Sequence, residues 1–176
     1  MLNAHVIQEE LERAFVSVMQ RILQEKAEIL TACRAVQEVA LNPAELDRAA
    51  KRLEEQALGI AERVRKLVEE NARVQMNQEE YQQEYNALAD AYENASEKLR
   101  KIAAQKQDKA DRRRKIEIFL RMLEEQEKCL DFDPFTFVAL VDKVVVGKDR
   151  KLKFCFRNGM NFRCSVSDPF DLANKY

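Results

Sequence analysis

The amino-acid sequence predicts a mainly α-helical protein with a small C-terminal antiparallel β element, organised as a long antiparallel coiled-coil hairpin on a helical base. Three observations predict this fold class. Charged residues make up 35% of the 176 residues, whereas glycine and proline number only three each, a composition typical of long solvated helices. Two apolar heptad seams occupy residues 46–102. After residue 143 the hydrophobic pattern changes from a helical period to strict alternation, which indicates strands.

The first seam lies on the outgoing arm of the predicted hairpin. Asn42 caps this helix and Pro43 occupies its first position. Asn71 is the polar member of the seam and is expected to fix the register of the coiled coil. The other members recur at steps of four and three residues, the spacing of a and d positions in a heptad: Leu46, Ala50, Leu53, Ala57, Ile60, Val64, Leu67 and Val74.

The second seam lies on a return arm, after a tip at residues 74–78. We expect the chain to reverse near Met76, with Asn77 capping the next helix. Residues of the two seams then face each other in layers, as Leu67 and Leu88 do, and large side chains meet small ones in several layers. At the helical rise per residue, the outgoing arm is roughly 40 Å long. The return seam consists of Tyr81, Tyr85, Leu88, Tyr92, Ala95, Leu99 and Ile102.

The base of the hairpin is predicted from the remaining helical segments. A first helix covers about residues 7–39, and the long return helix continues to about Leu130. Asp133 and Pro134 start a short helix that extends to about Asp142. The return helix is expected to pack on the first helix through Ile116, Leu120 and Leu123. The short helix is expected to present three apolar residues to the base: Phe135, Val138 and Val141.

A three-stranded antiparallel sheet is predicted to follow. Residues 144–146 are expected to form a buried strand and residues 147–150 a turn. Two alternating strands come next, and the loop between them has two alternatives. A two-residue loop would mix polar and apolar residues on each face. A three-residue loop pairs Phe154 with Phe162 and keeps one apolar face, so we predict this loop, with Gly159 in a left-handed conformation.

These elements divide the chain into five predicted segments. The boundaries follow the breaks at the two proline-started helices and the weakening of the return seam near Lys106. The segments are the base helix at 1–42, the coiled-coil arm at 43–105, the return half of the long helix at 106–131, the short helix and sheet at 132–167, and a loose tail at 168–176.

Composition and motifs argue against several classes of function. The net charge is −1, so a nucleic-acid surface must be local. The chain has no apolar run long enough for a membrane span and no signal-peptide pattern at its start. His5, the single histidine, is interpreted as a surface or capping residue. No catalytic, cofactor-binding or metal-binding residue is predicted, so enzymatic activity is not expected of this chain alone. Four scattered cysteines are interpreted as reduced structural thiols of a cytoplasmic protein: Cys33, Cys129, Cys155 and Cys164.

The tip of the hairpin is the first candidate interaction site. Its residues are Val74, Met76, Tyr81 and Tyr85. One interpretation is that they only close the seam between the two arms. The other is that they form a small protein-contact patch, because methionine and tyrosine are favoured at interfaces.

Two basic features are candidates for contact with a DNA backbone. The polar face of the sheet is expected to carry Lys151, Lys153, Arg157 and Arg163, which could track phosphates or form an ordinary charged outer face. The cations between residues 106 and 115 either form a second such surface or a solvated helix face paired with acids of the first helix.

Four stretches resemble the C-terminal part of the large serine recombinases. Residues 132–146 match the family pattern F-D-x-x-x-F-x-x-L-V-x-K-V-x-V, and residues 154–159 match F-x-F-x-x-G. Residues 5–15 look like the segment that follows that family's zinc ribbon, and residues 76–81 are similar to its hairpin tip. The likeness covers nearly the whole chain. The order and spacing of the motifs are stronger evidence for it than any single motif.

The resemblance implies a C-terminal fragment, or a truncated gene, of a bacterial or mobile-element protein that cuts and rejoins DNA through a serine–phosphate intermediate. In that family the coiled coil joins recombinase subunits across the synapse and determines whether integration or excision takes place. The catalytic domain, the first DNA-binding domain and the zinc cysteines are missing, so no catalytic or zinc-binding residue is carried over. The implied partners are DNA, through the parent protein, and other recombinase subunits at the tip, with no membrane and no small-molecule substrate.

The sequence also leaves two other interpretations open. One is a stand-alone coiled-coil adaptor or chaperone, and the other is a small DNA-binding protein that uses the basic face of the sheet. A prefoldin-like chaperone has its β-hairpin between the two helices. Here the strand pattern follows the last long helix, which argues against a chaperone of that type.

Overall fold

The computed structural model describes residues 6–74, 76–147 and 150–166, so the predicted tail and His5 lie outside the described residues. It confirms a mainly α-helical fold with a small antiparallel sheet near the C-terminus. The elements in chain order are α1 (Gln8–Gln24), α2 (Lys26–Val39), α3 (Ala44–Arg73), α4 (Gln78–Glu125), α5 (Pro134–Leu140), β1 (Val141–Val146), β2 (Lys151–Phe156) and β3 (Asn161–Ser165).

The chain divides into two compact units. Unit 1 combines Met1–Leu41 with Arg112–Tyr176, and unit 2 is the intervening segment Asn42–Asp111. Unit 2 is therefore an insertion in the sequence of unit 1. Helix α4 contributes residues to both units, because its bounds include the division at residue 111.

The core of unit 1 is centred on α1. Phe15 is only 1% exposed, and its ring makes edge-to-face contacts with Phe132 and Phe137 at centroid distances of 5.8 and 5.0 Å. It also lies 6.1 Å from the ring of Phe154 on β2. Such aromatic pairs add to the large area that each ring buries. As predicted, α4 contributes three buried residues to the same core: Ile116, Leu120 and Leu123.

The predicted helix over 7–39 is interrupted at Glu25, which separates α1 from α2. Glu25 has φ −96° and ψ 17°, outside the helical region. The ammonium group of Lys26, the first residue of α2, donates to the carbonyls of Glu124 and Gln126 at 3.0 and 3.2 Å. The interruption therefore lets the start of α2 bind the backbone carbonyls at the end of α4. Helix α4 ends at Glu125, five residues before the predicted Leu130.

The short helix α5 starts as predicted but presents a different face. The carboxylate of Asp133 accepts hydrogen bonds from the side chain and backbone N–H of Thr136, which lowers the pKa of Asp133. Thr136 and Leu140 are buried. Phe135 is 84% exposed and Val138 is also exposed, so the prediction that these residues face the base is wrong. The helix ends at Leu140, two residues before the predicted end at Asp142, and the residues that follow it form strand β1.

Strand β1 begins at Val141, within the segment assigned to the short helix. The prediction of a buried strand over residues 144–146 is wrong, because Val145 and Val146 are exposed and Val144 is half-buried. The sheet order is β1-β2-β3, so β1 has only one neighbouring strand among the described residues. A register shift between Val141 and Lys143 also changes which face the following residues occupy.

Strands β2 and β3 pair in the predicted register. Phe154 pairs with Phe162, and the backbone N–H of Phe156 donates to the carbonyl of Met160 at 2.8 Å. Gly159 has φ +94°, and its N–H donates to the carbonyl of Phe156 at 2.9 Å. These contacts confirm the three-residue loop with its left-handed glycine.

Unit 2 is an antiparallel pair formed by α3 and the first part of α4. Ile60, Leu67 and Leu88 form its buried core. At the other end of α3, the ammonium group of Lys106 pairs with Asp47 at 2.5 Å. Contacts at both ends of α3 show that the two helices run in opposite directions, as the seams predict. Four half-buried residues pack against this core: Val64, Met76, Tyr81 and Ala91.

Burial along α3 follows the predicted seam closely. Every seam position from Leu46 to Asn71 is buried or half-buried, and only Val74, just past the helix, is exposed. The return seam on α4 is less complete, because Tyr85 and Tyr92 are exposed. Ala91 packs against the core in place of Tyr92, so the apolar surface of α4 extends around a wider arc than one seam.

Candidate functional site

The backbone of the tip is held by hydrogen bonds at both helix ends. Val74 follows α3 in an extended conformation with φ −122° and ψ 131°. The side-chain oxygen of Asn77 accepts from the N–H of Glu79 at 2.9 Å, which caps α4 as predicted. The amide nitrogen of Gln78 donates to the side-chain oxygen of Asn71 at 3.2 Å. The polar seam residue of α3 is thereby joined to the first turn of α4.

The four predicted tip residues fall into two pairs. Met76 and Tyr81 pack against the hairpin core, which agrees with the interpretation that they close the seam. Val74 is 66% exposed and Tyr85 is 38% exposed. The ring of Tyr85 stacks on that of Tyr81 with a centroid distance of 6.1 Å and an interplanar angle of 29°. The tip therefore displays one aliphatic and one aromatic side chain next to hydrogen-bonded helix ends.

The outer face of the sheet gathers cations from all three strands. Across the strands, Lys143 pairs with Cys155, and Lys153 pairs with Arg163. Alternate residues of a strand share a face, so Lys151 lies on the same face as Lys153. Neighbouring strands are about 4.8 Å apart, which brings the cations of adjacent strands close together on this face.

Sequence reasoning placed one cation wrongly on this face and missed another. Arg157 follows the end of β2, and its Nε donates to the carbonyl of Val138 at 3.2 Å, so it lies at the end of α5 instead. Lys143 was missed because β1 begins three residues before the predicted strand. Its position two residues before Val145, in the same alternating segment, is the signal that identifies it.

Two cations of the return helix contact the start of the outgoing arm. Lys106 pairs with Asp47 at 2.5 Å, and the ammonium group of Lys109 donates to the carbonyl of Asn42 at 3.2 Å. Both contacts are to the start of the outgoing arm rather than to acids of the first helix. These two lysines therefore serve the hairpin and are poorly placed to form a phosphate-binding surface.

The cysteines have the character of structural thiols. All four are free, and Cys33, Cys129 and Cys164 are buried. Burial raises the pKa of each of these three thiols, to about 11 for Cys164. Over the described ranges, no three histidine, cysteine, aspartate or glutamate side chains lie close enough to hold a metal ion. Every helix within those ranges is too short or too polar to cross a membrane.

Comparison with known proteins adds no relative. No protein-family model, no curated protein and no solved structure matches this chain. The hairpin tip and the basic face of the sheet are therefore the features of this chain that bear on its function.

Proposed function

We propose that this chain is the coiled-coil interaction module of a serine recombinase, the part that joins one recombinase subunit to another during synapsis. The observation that best supports this proposal is the tip of unit 2, where Val74 and Tyr85 are displayed to solvent on hydrogen-bonded helix ends. Tyrosine is enriched at protein–protein interfaces, and Tyr85 is one of the two exposed side chains of this tip. The resemblance at residues 132–146 and 154–159 suggests the type of parent protein.

A tip contact of this size fits a reversible association. Two side chains on each partner bury far less than the roughly 1,000 Å² that a stable specific interface needs. Such a contact becomes effective only when the partners are held close together, which raises their effective concentration. Recombinase subunits bound to adjacent DNA sites would be held in that way. A weak tip contact would then form within the assembled complex and dissociate outside it.

Val74→Asp is expected to weaken self-association of this chain by about tenfold, because an aspartate would be desolvated in the tip contact. Sedimentation equilibrium over a wide concentration range measures the effect. Val74 lies outside the helices and is exposed, so circular dichroism should show the wild-type helix content. The control is Leu58→Asp, which changes an exposed leucine of α3 about 24 Å from the tip at the helical rise. Equal association of Val74→Asp and wild type would exclude the tip contact.

The outer face of the sheet supports a second candidate function, contact with a DNA backbone. Lys143, Lys153 and Arg163 lie there in adjacent rows, and Lys151 shares the face. The outer positions between them contain uncharged residues, so these cations form one basic patch in a chain whose net charge is −1. A local patch of this kind neutralises phosphates without reading base sequence. The outer positions between the cations are Val145, Cys155, Asn161 and Ser165.

Changing Lys143, Lys153 and Arg163 together to alanine is expected to weaken binding to duplex DNA and to flatten its salt dependence. Each lost phosphate contact should reduce the slope of log affinity against log salt by about 0.9. Fluorescence anisotropy with a labelled duplex at several salt concentrations measures both quantities. Arg157→Ala is the matched control, because that guanidinium contacts the carbonyl of Val138 and should leave the slope unchanged. An unchanged slope in the triple variant would remove the sheet face as a DNA site.

A further inference from the structure

The loop between β2 and β3 contains Asn158 followed by Gly159, the single Asn-Gly dipeptide of the chain. Asparagine is one of the chemically labile residues, because the backbone nitrogen of the next residue can attack its side-chain carbonyl carbon. Glycine has no Cβ, so it obstructs that approach less than any other residue does. Every other asparagine of this chain precedes a residue with a side chain. Asn158 is therefore the position where this reaction is sterically least hindered.

The folded loop engages both groups that would react. The N–H of Gly159, which must lose its proton to attack, donates to the carbonyl of Phe156 at 2.9 Å. The side-chain oxygen of Asn158 accepts from the N–H of Met160 at 3.1 Å, which fixes the orientation of the amide. Gly159 itself has φ +94°, the left-handed conformation that the three-residue loop requires. Attack on the amide therefore requires the hydrogen bond of Gly159 to break and the side chain of Asn158 to turn.

The leaving group of such an attack would be the amide nitrogen of Asn158. This Nδ2 atom is buried and has no hydrogen-bond partner within the described residues. Buried polar groups in folded proteins are normally paired, so the loop holds this amide in an unfavourable environment. An aspartate at the same position would place a carboxylate oxygen there, and burying an unpaired charge costs more than burying an unpaired amide. The folded loop therefore tolerates the amide but disfavours the deamidated product.

We propose that Asn158 is a deamidation site that the β2–β3 loop protects in the folded chain and that reacts when the loop opens. The nitrogen of Gly159 forms a bond to Cγ of Asn158, and the bond between Cγ and Nδ2 breaks. The amide nitrogen leaves as ammonia with the proton that Gly159 loses, and a succinimide ring remains. Water then opens the ring at either of its carbonyls, which yields aspartate or isoaspartate. One water is consumed and one ammonia is released, with no change in oxidation state.

Conversion of Asn158 would disturb the pairing of β2 with β3. Isoaspartate adds a carbon atom to the backbone of a loop whose length sets the register of the two strands. That register places Leu152 and Phe154, both 0% exposed, in the core of unit 1. It also places Lys153 opposite Arg163 on the outer face. A chain modified while the loop is open is therefore expected to refold with a less stable sheet.

Deamidation of Asn158 is expected to be at least about tenfold slower in the folded chain than in guanidinium chloride, because the reaction needs the opened loop. The full chain is kept under both conditions at the same mildly alkaline pH and sampled over time. A protease that cleaves after lysine releases residues 154–175 as one peptide, in which tandem mass spectrometry locates the conversion. Asn161 lies in the same peptide but precedes phenylalanine, so it is the internal control and should stay unconverted. Equal rates in the two conditions would overturn the protection by the loop, and an unconverted Asn158 in denaturant would overturn the site itself.

Asn158→Gln separates this chemistry from other effects of storage in denaturant. Glutamine keeps an amide at the position, but its longer side chain closes a ring of this kind far more slowly. Each protein is refolded and compared with its own fresh sample, so any cost of the substitution itself cancels. Stored wild type is expected to lose hydrogen-exchange protection of the β2 and β3 amides at least about tenfold, whereas Asn158→Gln should keep its protection. Full protection in converted wild type, or an equal loss in the variant, would overturn the effect of Asn158 on the strands.

Discussion

Phe15→Ala is expected to lower the free energy of unfolding by about 3–5 kcal/mol, a large part of the stability of a typical domain. Phe15 is 1% exposed and contacts three other rings, those of Phe132, Phe137 and Phe154. Its removal loses the buried area of one ring and leaves a cavity that the well-packed neighbours can fill only in part. The three remaining rings also lose their common aromatic partner.

Urea unfolding followed by circular dichroism measures this loss, and hydrogen exchange locates it in unit 1. Phe135→Ala is the matched control, because the same side chain is removed from a position that is 84% exposed. Its effect should stay within about 0.5 kcal/mol. Similar losses in the two variants would contradict the central position of Phe15 in the core.

Leu67→Asp is expected to unfold the tip half of unit 2, with a loss of about 3 kcal/mol or more. Among the described residues, Leu67 shares its buried core with Ile60 and Leu88, and four half-buried residues pack against this small core. A carboxylate at this position would be removed from water with no cation buried beside it among the described residues. The change therefore removes apolar area and adds a desolvation cost in a core too small to compensate for either.

Hydrogen exchange of the amides of α3 and the first half of α4 measures the effect directly. Leu58→Asp is the control, because it introduces the same charge at an exposed position of the same helix. It should leave exchange rates in both helices close to those of wild type. Full protection of α3 in Leu67→Asp would exclude this residue from the hairpin core.

The fold could be predicted wherever the sequence imposes one strict period. The seam of α3 is such a case, since a shift of one residue would move every seam side chain off the partner helix. The loop at Gly159 is another, because only one loop length keeps Phe154 and Phe162 on the same face. In both places a local choice decides the burial of many residues, so the pattern in the sequence is unambiguous.

The prediction failed where an element is short or changes type without a break. Helix α5 has seven residues and is followed directly by β1. The apolar pattern over residues 135–141 therefore suggested a longer helix that buries a different face. The predicted buried strand failed because an apolar run does not reveal whether a strand lies at a sheet edge. The interruption at Glu25 is held by contacts of Lys26 with residues about 100 positions away, which local patterns do not contain.

The candidate sites divide in the same way. Alternation correctly placed Lys151, Lys153 and Arg163 on one face of the sheet, but it was continued past the end of β2 to Arg157. At the tip, the sequence pointed to four residues that lie at or near the turn between α3 and α4. It could not separate Met76, which packs inward, from Val74, which is displayed, because that division depends on where α3 ends.

The ends of unit 2 meet where the ammonium group of Lys109 donates to the carbonyl of Asn42. Closing a loop costs chain entropy that grows with the length of the free segment. Once the hairpin has formed, the segment between the two halves of unit 1 acts as a short, closed connection instead of a long flexible one. Folding of unit 2 therefore lowers the entropic cost of assembling unit 1. Unfolding of unit 2 raises that cost without changing any residue in the core of unit 1.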